Sequence, residues 1–169
     1  NGDYCCDEIN LVNPGFNSGW DKVQGIWLTD GGDQLTTQKT VSNPESLLDF
    51  RGKSKYSPPE LTWAYTIGPT AIKFLTSDKL GKQYENDMFM GDVHNGNLYH
   101  FKLDQPRTGL LLGGPVVDKV VDTENENEDI IFGEGFGGIS DLEVGPDGYI
   151  YVVSIGKGKI YRIVSENDE

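Results

Sequence analysis

Apolar and polar positions alternate over short stretches, and turn residues interrupt the pattern at close intervals. Stretches of this kind, rich in Val, Ile, Tyr, Phe and Thr, read as β-strands. The pattern predicts strands at Glu8–Val12, Gly25–Leu28, Thr62–Ile67, Ala71–Leu75, Asp87–Val93, Asn97–Leu103, Val116–Val121, Asp129–Phe132, Ile139–Val144, Tyr149–Ile155 and Lys159–Val164. Between them lie explicit turn signals: Asn13-Pro14-Gly15, Asn95-Gly96, Gly145-Pro146-Asp147-Gly148 and Lys157-Gly158. Gly and Asn supply the positive φ that tight hairpins need.

Two stretches break the rhythm. Residues 30–60 are polar, with Gly31-Gly32 near one end and Pro58-Pro59 near the other. Within them Asn43-Pro44-Glu45, followed by Leu47 and Leu48, predicts a short capped helix. Residues 122–129 (DTENENED) form an acidic run.

The segment from Met88 to Phe101 aligns without gaps on that from Ile150 to Ile163. Each half is a strand, a glycine turn and a second strand bearing Tyr99 or Tyr161. A repeated hairpin with spacers is how propeller blades look in sequence, and a duplicated hairpin of a β-sandwich is the alternative. A blade takes about 40–45 residues, so the chain has room for about three, fewer than a closed ring of 4–8. The expectation is one domain over residues 1–169, a partial propeller with excursions at about 30–60 and 122–129. A missing half or a second chain would close the ring.

Composition sharpens this. Glycine occurs 22 times in 169 residues, and alanine only at Ala64 and Ala71. Alanine is the best helix former and glycine punctuates turns, so a helical bundle is disfavoured. The formal charge of −13 argues against nucleic acid, whose affinity rests on Lys and Arg. It also disfavours an anionic membrane surface, and no apolar run nears the ~18 residues of a spanning helix.

The two cysteines, Cys5 and Cys6, are adjacent and cannot staple distant segments. They are free, bonded to each other in a tight ring, or paired with a segment outside this chain. No CxxC spacing supports zinc or thioredoxin chemistry. No signal peptide opens the chain, which starts at Asn1 in a loop-like stretch, as a mature or cut chain would.

Residues 7–20, DEINLVNPGFNSGW, resemble the D-E-I-N-L-x-x-x-G-x-N-Y-G-W signature of the soluble pyrroloquinoline quinone (PQQ) sugar dehydrogenases, the glucose/sorbosone and aldose sugar dehydrogenase family. The order of later motifs agrees. Gly68-Pro69-Thr70-Ala71 resembles the family's A-P-S-x turn. Residues 84–91 (YENDMFMG) resemble its Y-x-G-D-x-F-V-G strand, and residues 140–152 (SDLEVGPDGYIYV) its R-D-V-x-x-G-P-D-G-x-L-Y-V strand pair.

The resemblance implies an all-β fold, about three blades of a six-bladed β-propeller, from the C-terminal half of a secreted, periplasmic or extracellular protein. It implies oxidation of the C1 hydroxyl of a small-molecule aldose to a lactone. A histidine base in the N-terminal half takes the proton, and hydride passes to PQQ held by calcium. A quinone is a two-electron sink that the sugar lacks. The family's two calcium-binding backbone carbonyls fall on Gly2 and Asp3, and a pocket threonine falls on Thr66. Calcium takes oxygen ligands, and a carbonyl serves whatever its side chain, although Asp3 replaces the usual proline.

At three further positions the chain departs from the family. A PQQ-pairing lysine is replaced by His94, and two arginines that grip PQQ carboxylates are replaced by Gly138 and Ser140. Arg–carboxylate pairing is the strong way to hold such a ligand. Loss of these cations motivates the alternative of a non-catalytic extracellular binding propeller.

Other motifs carry bland and sharp alternatives. Residues 133–138 (GEGFGG) satisfy GxGxxG, but a strand-like segment follows where a dinucleotide site needs a helix. A loop lining a propeller channel is the better expectation. Asp92 and His94 share one strand face, as an oriented base would, or as a polar pair beside a turn. His100, within an aromatic strand, reads as structural. The acids at 122–128 read as a solvated loop, with calcium second, and Trp20, Trp27 and Trp63 as core residues, with sugar stacking second.

Overall fold

The computed structural model describes residues 2, 5–29, 47 and 50–165. Their regular structure is fourteen strands and several 3-10 turns, with no α-helix among the described residues. In chain order the strands are β1 (Glu8–Ile9), β2 (Phe16–Asn17), β3 (Val23–Gln24), β4 (Trp27–Leu28), β5 (Lys55–Tyr56), β6 (Leu61–Trp63), β7 (Pro69–Phe74), β8 (Met88–Asp92), β9 (Leu98–Phe101), β10 (Val120–Val121), β11 (Ile131–Gly133), β12 (Ile139–Val144), β13 (Ile150–Ser154) and β14 (Lys159–Ile163). The chain divides into two compact units, residues 1–66 with 113–126, and residues 67–112 with 127–169.

In the first unit, β6 is the centre of a three-stranded sheet. β1 pairs with it antiparallel, Glu8 opposite Thr62, and β10 pairs parallel, Val121 opposite Trp63. All three residues of β6 are buried, as a strand flanked on both edges requires. Cys5 and Cys6 are bonded to each other and buried, packed with Trp27 and Val120 and against Ile26 and Ala64. Of the alternatives left open for these cysteines, the mutual bond is the one present. The pairs β2–β5 and β3–β4 complete this unit.

In the second unit, one sheet runs β11-β9-β8-β7 and another β12-β13-β14. Strand β8 lies inside its sheet and is buried at every position. The two sheets share a core of Leu75, Phe89, Leu98, Ile139, Leu142, Ile150 and Val152. Each such side chain stabilises the fold by about 1.5–3 kcal/mol on burial. Gly91 allows the sheets to approach, because a Cβ there would stand 2.4 Å from Cγ2 of Ile139. The hydroxyl of Thr70 ties them, 2.7 Å from the Ile139 carbonyl and 3.1 Å from that of Gly91.

The sequence repeat is a structural repeat. Hairpin β8–β9 pairs Met88 with Phe101 and Met90 with Tyr99; hairpin β13–β14 pairs Ile150 with Ile163 and Val152 with Tyr161. The four residues of the second pairing set are the alignment partners of the first.

Several expected strands are shortened in the structure. The strand expected at Val116–Val121 is a 3-10 turn over Gly114–Asp118 and then a two-residue strand. Pro115 opens that turn and Lys119, at φ 68°, closes it in the left-handed region, so the apolar run is split. The strand expected at Glu8–Val12 ends at Ile9, because Leu11 and Val12 are exposed. Within residues 30–60, the short helix expected around Asn43–Leu48 lies outside the described residues, apart from a buried Leu47. Residues 50–56 carry a 3-10 turn and strand β5.

Candidate functional site

The signature segment folds around one carboxylate. Asp7 is fully buried, and its two oxygens hold the loop before it to the segment that follows β6. The Gly2 amide donates to Oδ1 at 2.9 Å, and the Thr66 hydroxyl donates to Oδ2 at 3.0 Å. The main chain of Asp7 is held too: its carbonyl accepts from the amide of Trp63 at 2.9 Å and the hydroxyl of Thr62 at 3.0 Å. The loop leaves no room for a side chain at Gly2, where a Cβ would stand 1.9 Å from the Cys5 carbonyl oxygen. Thr66 Oγ1 also stands 3.5 Å from the Gly2 carbonyl, too far for a strong bond. Gly2 and Thr66, expected to serve one site, are thus joined through Asp7. Asp3 lies outside the described residues.

Next along β1, Glu8 accepts from Asn10 Nδ2 at 2.9 Å and from the Gly25 amide at 3.1 Å. Burial pushes its carboxyl above the usual glutamate value, and those two hydrogen bonds oppose the rise. Desolvation, with the Glu8 charge nearby, also raises Tyr56.

In the second unit, His94 is exposed and its amide donates to the Ile67 carbonyl at 3.2 Å. Of the two readings of Asp92 and His94, the oriented base is not formed through hydrogen bonds, and the polar pair beside a turn is the one present. Asp92 is fully buried and organises that turn. Its Oδ1 accepts from the amides of Asn95 and Gly96 at 2.7 and 2.8 Å, and its Oδ2 from the Tyr99 hydroxyl at 2.8 Å. His100 is structural, as expected: Nε2 lies 2.8 Å from Asp87 Oδ2, and the ring packs edge-on against Tyr84.

Gly138 and Ser140 open strand β12 and differ from each other. Gly138 is buried with φ at 82°, and a Cβ there would stand 2.9 Å from the Val93 carbonyl oxygen. Neither its backbone nor its surroundings admit an arginine. Ser140 is exposed, with its hydroxyl donating to the Val153 carbonyl at 3.3 Å. Both Gly135 and Gly137 also have positive φ, and a strand follows them, so the GxGxxG stretch is a turn rather than a nucleotide loop. Lys157 read in the sequence only as part of a turn signal. Its stem covers Gly137 and its Nζ donates to the Gly135 carbonyl, which brings one ammonium to this loop.

These positions do not fit PQQ in the manner the resemblance implies. Three carboxylates would meet a histidine, a glycine with no space for a side chain, and a serine. Calcium fits in part, since the Gly2 carbonyl is of the right ligand type. Groups of three or more His, Cys, Asp or Glu able to hold a metal do not occur among the described residues. The acidic run folds as a 3-10 turn at Glu124–Asn127, with Glu126 accepting from the Asp122 amide at 2.7 Å. Trp27 and Trp63 are core residues, whereas Trp20 is 69% exposed.

The glucose/sorbosone dehydrogenase family model matches residues 1–162. No curated protein sequence matches the chain. Among solved structures, two glucose dehydrogenases are similar. One has a TM-score of 0.60 at 20% identity, covering 98% of this chain and 40% of its own. The other has 0.61 at 19%, covering 98% and 39%. The soluble aldose sugar dehydrogenase of Escherichia coli, solved in its apo form, has a TM-score of 0.55 at 19% identity, covering 96% and 38%. The chain spans about two fifths of the length of these proteins. The likeness shows the fold: all-β, about three blades of a six-bladed propeller.

Proposed function

The chain belongs to the glucose/sorbosone dehydrogenase family, and from that membership we propose that it is the C-terminal part of an enzyme oxidising the C1 hydroxyl of an aldose to a lactone. The observation that carries this is the fold of the signature itself. Asp7, the acid of the D-E-I-N motif, ties Gly2 to Thr66, two positions assigned to the site by resemblance. A buried carboxylate with both oxygens committed to one loop is a positioning device. It fixes the Gly2 main chain, whose carbonyl is the described candidate ligand for calcium, with Asp3 the second by resemblance.

The assigned positions of this chain supply little positive charge for a quinone. His94 and Ser140 are exposed polar groups, Gly138 offers only its main chain, and Lys157 brings one cation close by. PQQ dependence therefore requires cations from outside positions 94, 138 and 140. The Cys5–Cys6 bond supports a secreted or periplasmic location, because disulfides persist in oxidising compartments. Among the described residues no helix is long and apolar enough to cross a membrane.

The whole protein, incubated with PQQ, calcium, D-glucose and a dye acceptor, should reduce the dye. Absence of reduction, together with an unchanged quinone absorbance on mixing, would overturn this reading. It would leave a binding propeller without turnover, the reading that Gly138 favours.

A further inference from the structure

Beside the Asp7 loop, the first unit carries an open depression lined by Gly2, Cys6, Glu8, Ser18, Trp20 and Gln24. We infer that this depression is a saccharide-binding subsite in which a pyranose ring stacks on Trp20 and hydrogen-bonds to Glu8 and Gln24.

Trp20 is the first of three observations. Its indole is exposed, whereas the other two tryptophans are 0% and 4% exposed. A large aromatic surface left in water next to convergent polar groups is the composition of a ligand site. An indole face carries negative charge density, and the C–H face of a pyranose meets it with partial positive charge.

Glu8 is the second. Two hydrogen bonds hold its carboxyl in place, one to each oxygen, and each oxygen keeps acceptor capacity for a further donor. A fixed carboxylate accepts hydrogen bonds from sugar hydroxyls, and the Gln24 amide both donates and accepts. Together they match a neighbouring pair of hydroxyls. An anionic ligand is disfavoured here, because Glu8 lines the site and the chain carries −13.

The bonded Cys5–Cys6 pair is the third. Because Cys6 is tied to its neighbour and buried, this side of the depression offers no free thiol. A thiol-reactive ligand is thereby disfavoured.

The choice of a sugar rests on the family reading, while the site rests on these residues, and the test separates them. D-Glucose and maltose are titrated into the full chain, read by tryptophan fluorescence and by saturation-transfer NMR. Binding should be about tenfold weaker in Trp20→Ala, intermediate in Trp20→Phe and weakened in Glu8→Gln. Trp20 is exposed, so its removal leaves the core in place, and Trp20→Phe covers the case in which alanine does not fold. No binding of either sugar to the wild type overturns the inference. So does equal binding by wild type and the Trp20 variants, even if the whole protein turns over sugar. Binding that depends on Trp20 in a protein without turnover upholds the subsite and removes the dehydrogenase reading.

Discussion

At Gly138 one backbone angle decides what the position can carry. A non-glycine residue held at positive φ costs about 1–3 kcal/mol, and the Val93 carbonyl adds a direct clash. Gly138→Arg should therefore lower the free energy of unfolding by at least that much, read from denaturant titration as a lower midpoint. Ser140→Arg, at an exposed position, should stay within about 0.5 kcal/mol of wild type. Equal effects of the two would refute the steric account. Glu8 gives a second test at this scale. Burial raises its carboxyl above 4.5, so the folded state binds its proton more tightly than the unfolded one. Its contribution is complete below that ordinary value and is lost as pH rises through the raised one. Across about pH 4 to 8, the Tm of wild type should fall relative to that of Glu8→Gln. A difference independent of pH would mean that Glu8 does not titrate with folding. The two residues also differ in how far the sequence revealed them. The missing arginine at 138 was visible by resemblance, but that no arginine can fit there needed coordinates. Glu8 was hidden, since nothing local marks that either acid of a D-E pair is buried or what holds it.

Among the elements, the legible ones were long and well punctuated. Strand β12 spans its expected residues, and β13 and β14 lie within one residue of theirs, because alternation runs for five or six positions between glycine turns. The strands β2, β3 and β5 have two residues each, too few for a period of two to show. Parallel pairing of β10 on β6 depends on contacts distant in sequence, which no local pattern reports. The hairpin β8–β9 shows where coordinates choose between two readings. Asp92 read either as the orienting partner of a base or as one of a polar pair beside a turn, and it is the peg of the turn. Asp92→Ala would orphan two amides, each worth about 1–3 kcal/mol when left unsatisfied, and would remove the carboxylate to which the Tyr99 hydroxyl donates. Hydrogen exchange at Asn95 and Gly96 should accelerate well beyond that at β12. Uniform acceleration throughout the second unit would instead indicate global destabilisation without a local role.

On the scale of the whole molecule, strand β14 is the outer strand of its sheet among the described residues, and Ile160 on it is 68% exposed. An outer strand with a bare apolar side chain is a template on which another copy can lengthen the sheet. Concentrated solutions of this chain should therefore oligomerise in a manner that dilution reverses. Ile160→Lys should shift sedimentation toward the monomer, and an unaltered profile would place the stickiness elsewhere. For anyone preparing the protein, reversible association through that strand would make a single lysine the simplest way to reach higher concentration.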